Sequence, residues 1–147
     1  MKLKWIRGNE HVSFKRPNVW FGLGVRGSGK SSFLESVGQE YLDRGATIFD
    51  LFSARDGESL AWLRSPYAED KKILLVHGEN VSVSSSVDSK NAGSLTLGDV
   101  EHYDIIISSS PLYSSPDQEF LNAAKITDLL YKRLHWKRVV YLIMREA

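Results

Sequence analysis

The sequence predicts an α/β fold, a mainly parallel sheet of about five strands flanked by helices. Three observations carry that prediction. Short continuous apolar runs recur along the chain, segments with apolar residues at helical spacing separate them, and a glycine-rich turn joins the first run to the first such segment. Continuous apolar runs suit strands covered on both faces, and their alternation with helices implies right-handed βαβ crossovers. In such sheets ligands sit beyond the carboxyl ends of the strands.

The elements follow in order. Residues 1–18 carry Lys2, Lys4, Arg7, Lys15 and Arg16 among scattered apolar residues and read as a lead-in arm, with a short strand at Val12-Ser13-Phe14. The run at 19–23 is the first full strand. A helix follows over 30–43, with Phe33, Leu34, Val37 and Tyr41 on one face and Gly45 as its C-terminal cap. The second strand is 46–52, and a short helix over 58–64 ends before Pro66. The third strand is 72–77. Residues 79–98, rich in Ser, Asn and Gly, read as a flexible loop. The fourth strand is 104–108. Ser115-Pro116-Asp117-Gln118 has the order of an N-cap, a first-turn proline and a capping-box partner. The helix it opens turns Phe120, Ala124, Leu130 and Leu134 inward and ends near His135. The fifth strand is 139–144, followed by Arg145-Glu146-Ala147.

Composition bounds the function. A chain of 147 residues is one domain by size, and 42% hydrophobic with 25% charged residues is ordinary for a globular protein. A net charge of +1 gives no global argument for nucleic acid, so any such contact is a local patch. With no cysteine, disulfides and thiolate metal sites are excluded. No apolar stretch is long enough to span a bilayer and no signal peptide is indicated, so the expected compartment is the cytoplasm.

The chemistry concentrates in one place. Gly24-Val25-Arg26-Gly27-Ser28-Gly29-Lys30-Ser31 matches the Walker A pattern, with four free positions between the first Gly and Gly-Lys-Ser. Glycines allow successive backbone N–H groups to form an anion nest, and a helix N-terminus adds partial positive charge. Lys30 then reaches the β/γ-phosphates and Ser31 holds Mg²⁺, with Ser32 continuing the cradle. The fold expected is therefore a P-loop NTPase. A second pattern overlaps it: Gly22-Leu23-Gly24-Val25-Arg26-Gly27 reads as a dinucleotide fingerprint with Asp50 as its ribose acid. That reading leaves Gly29-Lys30-Ser31 without a purpose, and the phosphate loop is preferred.

A triphosphatase also needs an acid at a neighbouring strand end for the metal and a carboxylate to orient water. The strand at 139–144 followed by Arg145-Glu146-Ala147 has the outline of a Walker B segment. Glu146 falls at the water-orienting position, and Arg145 falls where the metal-associated Asp stands. The order of parts resembles the FtsK/HerA/TraG-type superfamily of RecA-like ATPases, which move DNA as ring hexamers. The loop at 24–31 is similar to that group's loop, and the layout covers most of residues 18–147. The resemblance implies ATP and Mg²⁺ as cofactors, a hexameric homo-oligomer and DNA as a partner. It assigns catalytic roles to Lys30 and Glu146. The chain matches the first half of such a domain, as a fragment or a reduced relative. Asp50, ending the second strand, is the candidate that substitutes for the missing metal acid, the alternative being a turn residue. Arg145 is read either as a charge facing the γ-phosphate or as a surface residue.

The function expected is ATP binding with hydrolysis in a DNA-translocating motor. Two alternatives stand beside it. One is a non-hydrolysing nucleotide-dependent scaffold, favoured by Arg145. The other is a small nucleoside or nucleotide kinase, although no arginine-rich lid is evident. Lesser candidates are the basic cluster Lys132, Arg133, His135, Lys137 and Arg138 around Trp136, the strand-end His77, and the turn Arg55-Asp56-Gly57-Glu58. For each, a structural role is the plainer reading.

Overall fold

The computed structural model describes residues 19, 22–25, 27–53, 58–132 and 138–145. Its strands are β1 (Thr47–Ser53), β2 (Ile73–His77), β3 (Asp88–Asn91), β4 (Ile105–Ser109) and β5 (Val140–Met144). Its α-helices are α1 (Lys30–Asp43), α2 (Leu97–His102) and α3 (Pro116–Tyr131), and a 3₁₀ segment spans Glu58–Arg64. The strands form one five-stranded parallel sheet in the order β3-β2-β4-β1-β5. β1 is thus covered on both edges, with Asp50 opposite Ile107 on one side and Ile143 on the other.

Both faces of the sheet are apolar, as helices on both sides require. On one face Ile48, Ile105, Ile107, Leu75 and Ile143 pack against Val37, Tyr41 and Leu42 of α1 and against Trp62 of the 3₁₀ segment. On the other, Phe49, Leu51, Leu74, Val76 and Ile106 meet Val100 of α2 and Ile126 and Leu130 of α3. Gly38 brings α1 close to the sheet. A Cβ there would lie 3.3 Å from Tyr141 and 3.5 Å from Trp62. The rings of Tyr41 and Tyr141 stack at 4.7 Å beside this contact.

The α/β class, the helix at 30–43 and four of the expected strands agree with the sequence reading. The fifth does not. Val19, Gly22 and Leu23 lie outside any strand, with Val19 96% and Leu23 81% exposed, while Trp20 and Phe21 fall outside the described residues. An apolar run has a strand's composition, but a strand also needs a sheet edge to pair with. The fifth strand is instead β3, inside the segment read as a flexible loop. Its sequence, Asp88-Ser89-Lys90-Asn91, is polar throughout, which an edge strand with exposed and half-buried side chains tolerates. Lys90 pairs with Asp99 at 2.7 Å, and the Tyr103 hydroxyl donates to Asp88. The same stretch holds the start of α2, closed by a Thr96–Asp99 capping box.

Two further details differ. The buried stripe of α3 is Glu119, Asn122, Ala123, Ile126 and Leu130, leaving Phe120 and Ala124 exposed. Glu119 turns inward because the Ser110 hydroxyl donates to it. Ser115 caps α3 as expected, but Gln118 accepts from Ser114, one residue before the capping-box position. The arm at 1–18 and His135 lie outside the described residues.

Candidate functional site

The glycine loop stands beyond the carboxyl ends of β1 and β5. Tyr41, near the end of α1, stacks on Tyr141 near the start of β5, whereas Glu35 meets Arg145 just past the end of β5. Helix α1 therefore runs antiparallel to the strands. Lys30, five residues before Glu35, projects about 7.5 Å farther along the axis at the helical rise per residue.

Each glycine in the loop has its own reason. Gly27 (φ 79°) and Gly29 (φ 87°) adopt left-handed backbone, and a Cβ at either would meet nothing within 4 Å. Conformation, not space, demands glycine there. Gly24 differs, since a Cβ there would press on Oγ of Ser28, the movable end of an exposed side chain. The Ser28 N–H donates to the Val25 carbonyl at 3.1 Å, closing the turn, and the Phe33 N–H donates to Gly29 at 2.9 Å, starting the helix. Gly29 is the N-cap of α1 and has no side chain to offer the first-turn N–H groups. The ammonium of Lys30 folds back over the loop, donating to the carbonyls of Gly24 and Val25. Arg26 and Glu146 lie outside the described residues.

Beneath the loop is a buried ionic cluster. Arg145 Nε donates to Oδ1 of Asp50 at 3.0 Å and Nη2 to Oδ2 at 2.7 Å. The same Nη2 lies 2.9 Å from Oε1 of Glu35 on α1. Trp62 Nε1 donates to Oδ2 of Asp50 at 2.9 Å. Asp50 is fully buried and Arg145 is 3% exposed. Burial pushes the Asp50 carboxyl up against the pull of Arg145. Burial also disfavours the guanidinium charge, but the bonds to Asp50 and Glu35 outweigh it and hold Arg145 protonated beyond its ordinary range. One helical turn before Trp62, the buried Ser59 hydroxyl has no hydrogen-bond partner among the described residues.

Comparison with known proteins gives no match to a family model, a curated protein or a solved structure. The site is therefore read from its own geometry.

The loop suits a polyphosphate: two left-handed glycines, a helix N-terminus whose N-cap has no side chain, and a lysine that bonds loop carbonyls. A metal ion fits less well. Ser31 offers one neutral oxygen, and the Asp50 carboxylate, named from the sequence as its companion, is occupied on both oxygens by Arg145 and Trp62. Among the described residues no group of three or more His, Asp or Glu could hold a metal.

The lesser candidates among the described residues make contacts within the fold. Arg138 donates to the carbonyls of Gly45, Glu101 and Tyr103 and pairs with Asp104, at the end of the sheet away from the loop. Lys132 pairs with Asp128 on its own helix. His77 bonds the Gly78 carbonyl through Nδ1. Arg55-Asp56-Gly57, Arg133 and 135–137 lie outside the described residues, as does the side chain of Glu58. Glu35 and Trp62 were not visible as site residues in the sequence. The usable signal was Glu35's place on the flank of the buried stripe of α1, five residues past Lys30.

Among the described residues no helix is long and apolar enough to cross a membrane.

Proposed function

We propose that the chain binds ATP through residues 24–32, and that this serves a ring-forming, DNA-translocating motor of the kind its sequence resembles. The backbone of the loop is what carries the reading. Gly27 and Gly29 are left-handed, a Cβ at Gly24 would press on the Ser28 hydroxyl, and Lys30 folds over the loop onto the Gly24 and Val25 carbonyls. In that reading Gly24, Val25, Arg26, Gly27, Ser28 and Gly29 wrap the phosphates. Lys30 exchanges two carbonyls for the β- and γ-phosphate oxygens, a stronger charge-assisted partner. Ser31 and Ser32 present first-turn N–H groups toward the anion.

A second reading has a specific observation in its favour. Arg145 is committed to Asp50 and Glu35 inside the fold, which suits a module that binds nucleotide and switches or assembles without hydrolysing it. Both readings share the binding step.

Titration of the full chain with a fluorescent ATP analogue tests that step. Lys30→Ala is expected to weaken binding about 10- to 100-fold, the worth of one or two charge-assisted hydrogen bonds. Unchanged affinity would remove the proposal. ATP turnover with and without DNA, with size-exclusion chromatography with and without ATP, then separates motor from scaffold. DNA-stimulated turnover in an oligomer supports the first, and binding without turnover the second.

A further inference from the structure

The ionic cluster beneath the loop has the arrangement of an acid with its cation already in place. Asp50 lies in the middle of β1, three residues before its end, on the α1 face of the sheet, the side on which the glycine loop stands. Its two oxygens are met by Nε and Nη2 of one guanidinium, in a side-by-side fork at 3.0 and 2.7 Å. That geometry gives a carboxylate its strongest monocationic partner. The same guanidinium reaches Glu35 on the helix that begins at the loop, so a fixed positive charge bridges the sheet end and the phosphate-binding helix. The Asp50 and Arg145 side chains are 0% and 2% exposed, which leaves no solvent route for a hydrated divalent ion to compete at Asp50.

We propose that Arg145 takes the place of a divalent cation on Asp50, so that the chain holds a nucleoside triphosphate as the metal-free polyanion. This rests on the nucleotide-binding reading above and specifies the ligand's form. Binding then draws on Lys30, the loop N–H groups and the partial positive charge of the α1 N-terminus. Mg²⁺ removes negative charge from the triphosphate, so with the Asp50 carboxylate already taken by Arg145, it weakens the attraction. Metal bridged to a protein acid would do the opposite.

The test is the affinity of a fluorescent ATP analogue for the full chain in excess Mg²⁺ and in EDTA. The expected result is equal affinity within about threefold, or weaker binding in Mg²⁺. Tightening by Mg²⁺ of about tenfold or more overturns the inference while leaving nucleotide binding intact. Loss of that tightening in Asp50→Asn or Glu146→Gln would name the ligand responsible. Binding in neither condition overturns the nucleotide reading and this inference together. Arg145→Gln, which withdraws the guanidinium from Asp50, is expected to make affinity rise with Mg²⁺. If that variant does not fold, the unaltered chain still decides the matter.

Discussion

Arg145 Nη2 sits 2.7 Å from Oδ2 of Asp50, an ion pair out of solvent between the middle of β1 and the residue just past the end of the adjacent parallel β5. Two charges removed from water recover their hydration only through good geometry and further hydrogen bonds. Here Trp62 and Glu35 supply those bonds. The cluster thereby ties together β1, β5, α1 and the 3₁₀ segment at Glu58–Arg64.

Breaking the pair from one side strands a buried carboxyl. Arg145→Met is expected to cost about 3–5 kcal/mol of unfolding free energy, because Asp50 must then stay charged without a partner or take up a proton in an apolar setting. Asp50→Leu combined with Arg145→Met should cost less than Arg145→Met alone, since neither charge then remains unmatched at that position. Urea unfolding of the two variants decides this. A double variant weaker than the single one would show that the pair is net stabilising beyond its desolvation cost.

Trp62 contributes both a ring to the core and a donor to Asp50. Trp62→Phe keeps most of the ring and removes the donor. The expected loss is about 1–3 kcal/mol, the cost of a buried acceptor losing a partner. A loss well under 1 kcal/mol by urea unfolding would mean that Arg145 alone satisfies the carboxylate.

What the sequence made legible, and what it hid, divides along physical lines. Apolar runs at 47–51, 73–77 and 105–109 announce themselves because both faces are buried, and the edge strand at 140–144 because Tyr141 and Ile143 are. β3 was hidden because an edge strand held by Lys90–Asp99 and Tyr103–Asp88 needs no apolar residue of its own. The run at 19–23 misled for the opposite reason, apolar composition without a sheet edge at Val19 or Leu23. At the site, the glycine spacing exposed the loop because backbone geometry leaves a sequence mark. The partnership of Arg145 with Asp50 spans 95 residues, and nothing local to either residue encodes it. Arg145 stood out only as the wrong charge at an acid's position.

Acid should loosen the opposite end of the sheet. Asp104 is pushed up by partial burial, but the Lys72 N–H and the Arg138 guanidinium outweigh that and hold it below its ordinary value. Asp99 behaves alike, with burial opposed by Lys90 and Thr96. Both groups bind protons less readily folded than unfolded, so their stabilisation is present above the unfolded carboxylate pKa. It fades as pH falls through the lower folded values, from about pH 4 downward. Asp50, pushed the other way, opposes this trend. Melting temperature followed from pH 6 to pH 3 should fall less steeply in Asp104→Asn than in the unaltered chain, and equal slopes would assign the acid sensitivity elsewhere.

Gly29 separates loop geometry from loop chemistry. Its backbone is left-handed at φ 87° with open space around it, so Ala there meets no atom but must hold a conformation L-residues disfavour. Gly29→Ala should therefore cost about 1–2 kcal/mol if the conformation is kept. If instead the loop relaxes, stability changes little, but the Gly29 carbonyl that receives the Phe33 N–H shifts and the first turn of α1 no longer points at the anion. In either case ATP affinity falls while Lys30 remains in place. Paired urea unfolding and nucleotide titration of Gly29→Ala distinguish the two: lower stability with lower affinity marks a strained cradle, unchanged stability with lower affinity marks a relaxed one. Wild-type affinity in Gly29→Ala would show that the left-handed N-cap plays no part in binding.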